Sequence, residues 1–498
     1  MPSPEQDQSQ PVRAQLLDRL AELSDLSHAG SVMEWDQQVM MPPGGAPARG
    51  LALGTLERLT HDRLVAPELG ALLDAATSPQ DALLVRAVRR DHERARRVPS
   101  ELTAQMARAS STGYAAWLDA RKQDSFAVFA PALRTNVELA RRYAACFPES
   151  DHPYDPLLDR FEPGATAAQV EVLFSRLREG LVPLLREIAM QPEPPALPAD
   201  FPIAAQREIG LEIVAAMGFD RDEWRIDDAV HPFASSPARG DVRVTSRFDD
   251  LSLTGLFALM HEVGHGLYEH GVDPALARTT LDHGVSLGVH ESQSRLWENL
   301  VGRSAPFWTH WLPRLRQRFP LTLRDIDLDA FLRAINVVRP TLVRVEADEV
   351  TYSLHVILRF ELELALIDGT LDPGDLPEAW AAKMMQFLGI EVPDDLNGVL
   401  QDVHWSMGII GYFPTYAIGN VLAAQLWRAA RADLPALDDD LRGGEYGPLR
   451  AWLVEKIHRH GRTLTPPELV EQAVGGPLDP EPMLTHLAAK YRGLYGLG

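Results

Sequence analysis

The chain has 498 residues, with 48 basic and 70 acidic side chains and a formal net charge of −22 at pH 7. This excess of carboxylates repels phosphate groups, which argues against nucleic acids and anionic membrane surfaces as main partners. Hydrophobic residues make up 45% of the chain and charged residues 24%, a balance typical of globular proteins with a large apolar core. Long disordered regions are therefore not expected.

Cys146 is the only cysteine, so the chain can form neither an intrachain disulfide nor a metal site built on cysteines. The first ten residues, MPSPEQDQSQ, lack the basic start and the apolar run of a secretory signal. No later stretch reaches the roughly 18–20 apolar residues that a membrane span requires. We therefore expect a cytoplasmic protein that does not enter the membrane.

The N-terminal part of the chain predicts a bundle of helices. Between Pro11 and about Phe147, apolar and charged residues alternate at helical spacing. The segment Met33–Gly50 contains adjacent prolines followed by adjacent glycines, which predicts an ordered loop between two helices. The segment Arg86–Arg97 is rich in arginine, but acidic and apolar residues interrupt it. We interpret it as the solvated face of a helix and not as a nucleic-acid site.

The middle of the chain contains the second break and the clearest strand signal. Pro192–Pro202 has five prolines in eleven residues and cannot be helical throughout. Asp241–Phe248 alternates polar with β-branched or apolar residues, which predicts a half-buried strand. From Leu251 the helical period returns. We therefore predict a mainly α single domain over 1–498, with an N-terminal helical lobe at about 1–200 and the functional region at about 201–498.

The sequence His261-Glu262-Val-Gly-His265 lies within an apolar stretch of helix length and predicts a zinc site. Residues four apart lie on one face of a helix, so the two imidazoles can bind the same ion, and neutral imidazole is a favoured zinc ligand. Glu262 is rotated off that face. It can therefore act as a general base toward water without itself binding the metal.

A catalytic zinc ion commonly has three protein ligands and one open position, and two histidines with one glutamate form a known set. Glu291 lies 26 residues after His265, an interval that fits a short loop and a second helix packed on the first. We predict Glu291 as the third ligand and Glu298, seven residues later, as the runner-up. Asp282 is a plausible hydrogen-bond acceptor for a ligand imidazole.

Several further motifs in the chain resemble those of the carboxypeptidase Taq family of metallocarboxypeptidases, also called the thermostable carboxypeptidase 1 family. The resemblance covers nearly the whole chain. Beside the zinc motif it rests on His231-Pro-Phe233, Asp241-x-Arg243-x-Thr245, His290-Glu291-Ser292-Gln293, Arg344-x-x-Ala347-Asp348, Gly398-x-x-Gln401-Asp402-x-His404-Trp405, Trp35-Asp36 with Met41-Pro42, and Gly411-Tyr412-Phe413-Pro414-Thr415-Tyr416. Val343 stands where isoleucine commonly precedes the arginine, a change that should matter little.

The resemblance implies a largely helical fold similar to neurolysin and angiotensin-converting enzyme, with a long groove between two helical lobes and a small sheet beside the zinc helix. It also implies a homodimer that uses zinc, or sometimes cobalt. The implied activity is the release of single residues from peptide C-termini, with broad preference and poor handling of C-terminal proline. Peptides with a free C-terminus are the implied partners.

An exopeptidase must recognise a free carboxylate, and the planar guanidinium of arginine can donate two parallel hydrogen bonds to one. We take Arg344, in a motif that the family links to substrate binding, as the first candidate and Arg243 as the second. The oxyanion of the reaction needs a donor besides the metal. The candidates are Tyr416 and His231, followed by His404 and Tyr412.

Two other functions stay open. A helical zinc endopeptidase or oligopeptidase shares the zinc motif and the distant glutamate, and it would cleave peptides whose C-terminus is amidated. A non-catalytic helical scaffold stabilised by zinc is the second alternative. Glu262 argues against the scaffold, because a structural zinc site needs no general base and tends to fill all four positions with protein ligands.

Overall fold

The computed structural model describes residues 4–497, and this part of the chain is mainly helical. Its α-helices are α1 Pro4–Val39, α2 Ala46–Leu64, α3 Pro67–Ala75, α4 Ala82–Arg97, α5 Ser100–Gln123, α6 Phe126–Ala144, α7 Asp155–Leu158, α8 Ala167–Ala189, α9 Ile203–Met217, α10 Thr254–His270, α11 Leu287–Arg295, α12 Ala305–Arg318, α13 Leu328–Ile335, α14 Tyr352–Asp368, α15 Leu376–Leu388, α16 Pro414–Asp433, α17 Leu437–Gly443, α18 Gly447–Lys456, α19 Pro466–Val474 and α20 Glu481–Tyr495. A π-helix, Leu296–Val301, continues α11 without a break.

A small sheet of three strands lies between α9 and α10. Its strands are β1 Trp224–Asp228, β2 Ala234–Ala238 and β3 Asp241–Ser246. The strand order is β1-β3-β2, with β1 parallel and β2 antiparallel to the central β3. The sequence predicts β3 and misses its neighbours, because β1 ends in two aspartates and β2 contains serines and a proline, all of them poor strand formers. The predicted small sheet near the metal-binding helix is confirmed.

Two large apolar cores organise the molecule. The first surrounds α10 and the sheet, with buried residues from α9, α12, α13, α18 and α19, and the second is built on α6, α8, α14 and α15. Helix α16 contributes to both, through Leu422 and Leu426 on one side and Ile418 and Val421 on the other. The long helix α16 therefore joins the two halves of the protein.

The sequence suggests a division of the chain near residue 200, but the two cores do not follow this division. The second core combines α6 and α8, from before Pro192–Pro202, with residues 338–424 and part of α20. Pro192–Pro202 does separate α8 from α9, as expected. The periodicity of a helix shows which of its faces is apolar, but it does not show which distant helix covers that face.

The N-terminal break is shorter than the sequence predicts. Helix α1 continues to Val39, and α2 begins at Ala46 with Pro47 in its first turn, where a missing N–H costs nothing. Helix α2 has no buried residue, and Leu51 is 77% exposed, although its leucines follow a helical period. No helix in residues 4–497 is long and apolar enough to cross a membrane.

A buried carboxyl in the second core gives a testable pH dependence. Glu363 accepts hydrogen bonds from the hydroxyl of Tyr154, the indole N–H of Trp405 and the backbone N–H of Gly411, at 2.5, 2.8 and 3.1 Å. Burial raises the pKa of Glu363 from 4.5 to about 7. The folded protein therefore holds this proton more tightly than the unfolded chain does.

We expect this group to favour folding below about pH 4.5 and to lose up to about 3 kcal/mol of that contribution as the pH rises to about 7. Glu363→Gln should therefore lose less unfolding free energy than the wild type between pH 5 and pH 8, measured by urea unfolding of the metal-free protein. The exposed substitution Glu57→Gln is the control. Identical pH slopes for wild type and Glu363→Gln would contradict the prediction.

Candidate metal centre and substrate groove

Helix α10 positions the two histidines of the predicted zinc motif. Its apolar residues Leu256, Leu259 and Val263 are buried in the first core. The side chains of His261 and His265 lie one turn apart and are 17% and 21% exposed. Burial of the apolar face therefore fixes the helix, while both imidazoles face Glu291.

Helix α11 lies very close to α10 on one side and to α16 on the other, and glycines permit both approaches. A Cβ atom at Gly264 of α10 would lie 2.6 Å from the Cα of Ser294, and one at Gly419 of α16 would lie 2.5 Å from the Cβ and Cγ of Glu291. Both separations are too short for a side chain. The two glycines thus bring Glu291 to the histidines.

The candidate metal ligands converge on one point. The Nε2 atoms of His261 and His265 lie 3.6 and 3.7 Å from Oε2 of Glu291, and one ligand atom from each residue falls within 4.8 Å of the others. A tetrahedral ion with bonds of about 2.0–2.1 Å separates its ligand atoms by about 3.3–3.4 Å. Two imidazoles and one carboxylate at this spacing fit a zinc-type metal.

Each candidate ligand has a protein partner on its other side. Glu298 lies 2.8 Å from Nδ1 of His261, and Arg295 donates a hydrogen bond of 2.6 Å to Oε1 of Glu291. Glu298 is therefore placed as the hydrogen-bond partner of a ligand and not as an alternative ligand. Arg295 occupies Oε1 of Glu291 and leaves Oε2 facing the imidazoles.

The partner of His265 also differs from the expectation. Nδ1 of His265 lies 3.2 Å from Nδ1 of His290, whereas Asp282 contacts neither ligand histidine among the described residues. His290 entered the sequence analysis only as part of a family motif, and its contact with His265 was not predicted. Arg295 was missed, although it follows Glu291 by one helical turn. That i,i+4 spacing is a signal that sequence reasoning could have used.

Glu262 lies beside the ligands in the wall of the groove. It is 7% exposed and has no hydrogen bond to another described residue. Burial raises the pKa of Glu262 to about 7. A carboxylate with a pKa near neutrality can both take and return a proton, which is the property that a general base requires.

The groove beside the metal centre has a volume of about 590 Å³ and lies where the two cores meet. Phe257 and Ile335 of the first core line it on one side, and Tyr352 and Leu487 of the second core line it on the other. The groove therefore lies between the two cores and not between a lobe of residues 1–200 and a lobe of residues 201–498, since its lining residues run from Pro232 to Tyr491.

Arg344 is held rigidly next to this groove. It is 5% exposed, and its Nε and Nη2 donate to Oδ1 of Asp402 at 3.1 and 2.8 Å. Nη1 donates to the hydroxyl of Tyr352 at 2.9 Å. A guanidinium has five N–H donors, so two remain, one on each terminal nitrogen. Arg344 therefore keeps two N–H groups without a partner among the described residues.

Tyr352 lies between Arg344 and Arg295 of the candidate metal centre, and no spacing in the sequence indicates it. Its ring lies 4.3 Å from the guanidinium carbon of Arg295, which in turn contacts Glu291. The groups form a continuous series from Arg344 through Tyr352 and Arg295 to the candidate ligand. Two side chains thus lie between Arg344 and the candidate ligand Glu291.

His404 and Tyr416 contact each other beside Arg344. The hydroxyl of Tyr416 lies 3.4 Å from Nε2 of His404, and its ring lies 4.7 Å from the guanidinium carbon of Arg344. Burial lowers the pKa of His404 to about 4 and raises the pKa of Tyr416 well above its usual value. Tyr416 therefore keeps its proton and can act as a hydrogen-bond donor. Nδ1 of His404 is buried without a hydrogen-bond partner.

The other two predicted substrate residues are placed differently. Arg243 pairs with both carboxylate oxygens of Asp241 at 2.7 Å, and its guanidinium carbon lies 4.5 Å from the ring centre of Trp35. These contacts join α1 to the sheet. Neither Arg243 nor Arg344 is itself in the lining of the groove, but residues 345–349 and Tyr352, next to Arg344, are. His231 is exposed, while its neighbour Pro232 lines the groove.

Comparison with known proteins is consistent with a metal centre at this site. The model of the carboxypeptidase Taq (M32) metallopeptidases matches residues 15–491. The chain belongs to the M32 family of metallocarboxypeptidases. It is 42% identical to thermostable carboxypeptidase 1 of Thermus thermophilus, over 97% of this chain and 98% of the relative, and 36% identical to carboxypeptidase 1 of Bacillus subtilis, over 97% and 98%.

The fold of this M32 carboxypeptidase matches solved structures of the family. The crystal structure of the M32 carboxypeptidase from Deinococcus radiodurans R1 superposes with a TM-score of 0.95 at 40% identity, and the match covers 98% of this chain and 100% of that chain. The family assignment makes the protein a peptide hydrolase that depends on a divalent metal. The resemblance that the sequence motifs indicate is therefore confirmed.

Residues of two M32 motifs form hydrogen bonds with segments that lie next to the groove. Thr245 accepts a hydrogen bond from the backbone N–H of Phe233 at 2.8 Å and so fixes the loop that carries Pro232. Oε1 of Gln401 accepts from the backbone N–H of Arg344 at 2.9 Å and from Arg359 at 2.7 Å. Thr245 and Gln401 thus influence the groove through the segments that they hold in place.

The close approach of α11 and α16 in this M32 carboxypeptidase gives a further prediction. Gly419→Ala should push Glu291 away from the histidines, weaken metal binding and lower stability by about 1–3 kcal/mol. Isothermal titration of the metal-free protein and thermal unfolding measure the two effects. Gly493→Ala on α20 is the matched control, because its new Cβ would meet no described atom within 4 Å apart from its own helix backbone and chain neighbours. Unchanged metal affinity in Gly419→Ala would refute this account.

Proposed function

We propose that this M32 carboxypeptidase is a zinc enzyme that removes single residues, with broad specificity, from peptides with a free C-terminus. His261, His265 and Glu291 would hold the ion, and cobalt could replace zinc there. The convergence of these three side chains next to Glu262 is the observation that carries the proposal. Bound zinc supplies a Lewis acid for the scissile carbonyl and lowers the pKa of water.

The protein groups supply the rest of the chemistry. Glu262 removes a proton from the attacking water and delivers it to the leaving amine, which its place beside the candidate ligands in the wall of the groove supports. Arg344 binds the C-terminal carboxylate through its two free N–H groups. The protonated hydroxyl of Tyr416 donates a hydrogen bond to the oxyanion, with the neutral imidazole of His404 holding that hydroxyl in position.

The experiment compares a short blocked peptide with its C-terminal amide, with and without chelator. We expect release of one residue from the free acid alone, loss of activity with chelator, and recovery with zinc or cobalt. Equal internal cleavage of the amide would favour a zinc endopeptidase. Metal binding without hydrolysis of any peptide would favour a zinc-stabilised scaffold.

We further propose that the enzyme works as a homodimer in the cytoplasm, with no nucleic acid or membrane partner. The family resemblance supports the dimer, and the single cysteine and the net charge of −22 support the compartment and the partners. Sedimentation equilibrium of the purified protein tests the dimer. A single monomeric species at micromolar concentration would reject it.

A further inference from the structure

A series of hydrogen-bonding groups leads away from His265 on the side opposite the candidate metal. Nδ1 of His265 lies 3.2 Å from Nδ1 of His290, and Nε2 of His290 lies 2.5 Å from Oε1 of Glu269. The other oxygen of Glu269 lies 3.4 Å from Nδ1 of His283. None of these three groups belongs to the proposed ligand set or reaction.

The chemistry of these groups allows one direction of hydrogen bonding when metal is bound. Nε2 of His265 faces Glu291, so a metal there requires that nitrogen to be unprotonated and puts the proton on Nδ1. Nδ1 of His290 must then accept a hydrogen bond from this N–H, which leaves the N–H of His290 on Nε2. The carboxylate of Glu269 accepts only, and it therefore fixes the tautomer of His290 and, through it, that of His265.

Packing holds the pair in this orientation. Glu269 follows His265 by one helical turn on α10, and its Oε1 also accepts from the backbone N–H of Gly284 at 2.9 Å. A Cβ atom at Gly284 would lie 2.5 Å from the ring of His290, and the ring of Tyr268 lies 4.8 Å from that ring on another side. The imidazole of His290 thus has little freedom to turn.

We propose that His290 and Glu269 are positioning residues that set the tautomer and ring orientation of His265 and so strengthen its bond to the metal. This inference rests on the proposed metal centre. The two ligand histidines have unequal partners, because Glu298 contacts His261 directly while a neutral imidazole stands between Glu269 and His265. Partners of metal-binding histidines commonly change metal affinity 10- to 100-fold when they are replaced.

The test measures metal release by wild type, His290→Phe and Glu269→Gln, each loaded with one equivalent of zinc and challenged with a chromophoric chelator. The absorption spectrum of the cobalt form provides a second readout. Glu223→Gln is the matched control. Glu223 lies 2.6 Å from Nε2 of His270, which belongs to α10 as His265 does, but Glu223 has no contact with the ligands. Thermal unfolding of the metal-free proteins measures any purely structural effect.

We expect His290→Phe to release zinc about 10- to 100-fold faster and to change the cobalt spectrum, and Glu269→Gln to do so to a smaller extent. Glu223→Gln should match the wild type in both. Wild-type release rates and spectra in both site variants would overturn the proposal, as would equal changes in the control. If His290→Phe does not fold, Glu269→Gln alone decides. A wild type that binds no metal would instead reject the proposed function.

Discussion

Replacing Glu262 with glutamine should lower kcat by about 10²–10⁴-fold while the metal stays bound. Glutamine keeps the size of the side chain but can neither remove a proton from water nor return one to the leaving amine. Glu262 has no hydrogen bond to another described residue, so its loss leaves no partner unsatisfied. The effect should therefore fall on the chemical step, with KM little changed.

The measurement is steady-state hydrolysis of a blocked dipeptide, together with metal analysis and thermal unfolding of the same preparation. Glu223→Gln, a glutamate outside the groove, should keep full activity. Loss of activity with equal loss of metal would assign Glu262 to metal binding and contradict its role as a base. Retained activity with bound metal would require a different general base.

We expect Arg344→Ala to lower kcat/KM for free-acid peptides by at least about 100-fold and to remove the preference for the acid over the amide. Two hydrogen bonds between charged groups contribute about 1.5–3 kcal/mol each, and both are lost with the guanidinium. Asp402 keeps Arg359 as a partner at 2.6 Å, so the variant does not leave that carboxylate unpaired. Most of the protein should thus stay folded.

The ratio of rates on the acid and the amide is the decisive quantity, because a general loss of stability lowers both rates together. Arg243→Ala is the matched control and tests the second arginine that the sequence proposes. Since Arg243 pairs with Asp241 and lies against Trp35, its removal should reduce stability and leave the ratio unchanged. A changed ratio in Arg243→Ala with a normal ratio in Arg344→Ala would reverse the assignment.

Much of the metal centre follows from local rules. The i,i+4 spacing of His261 and His265 requires only that the segment be helical, and its apolar residues make it so. The same rule applies to Glu269 one turn beyond His265 and to Arg295 one turn beyond Glu291, which is why the sequence contained signals for both. What each charged side chain does depends on a partner that lies elsewhere in the chain.

Glu298 and Arg243 are residues whose roles cannot be predicted from the sequence alone. Both have the chemistry of a site residue, a ligand in one case and a carboxylate anchor in the other. Packing turns Glu298 toward Nδ1 of His261 and places Arg243 between Asp241 and Trp35. Sequence spacing cannot predict such contacts, because the partners belong to elements whose relative placement is fixed by burial.

By itself the sequence determined the helical class and the helix with the two histidines, since these depend on composition and on short-range periodicity, and it predicted Glu262 as the general base and Glu291 as the third ligand. Only the tertiary structure decided how the chain is shared between two cores, how close α11 lies to α10 and α16, and which residues hold the ligands. The physical reason is that close packing depends on long-range contacts. The missing side chains of Gly264 and Gly419 matter only because another helix lies against each of these residues.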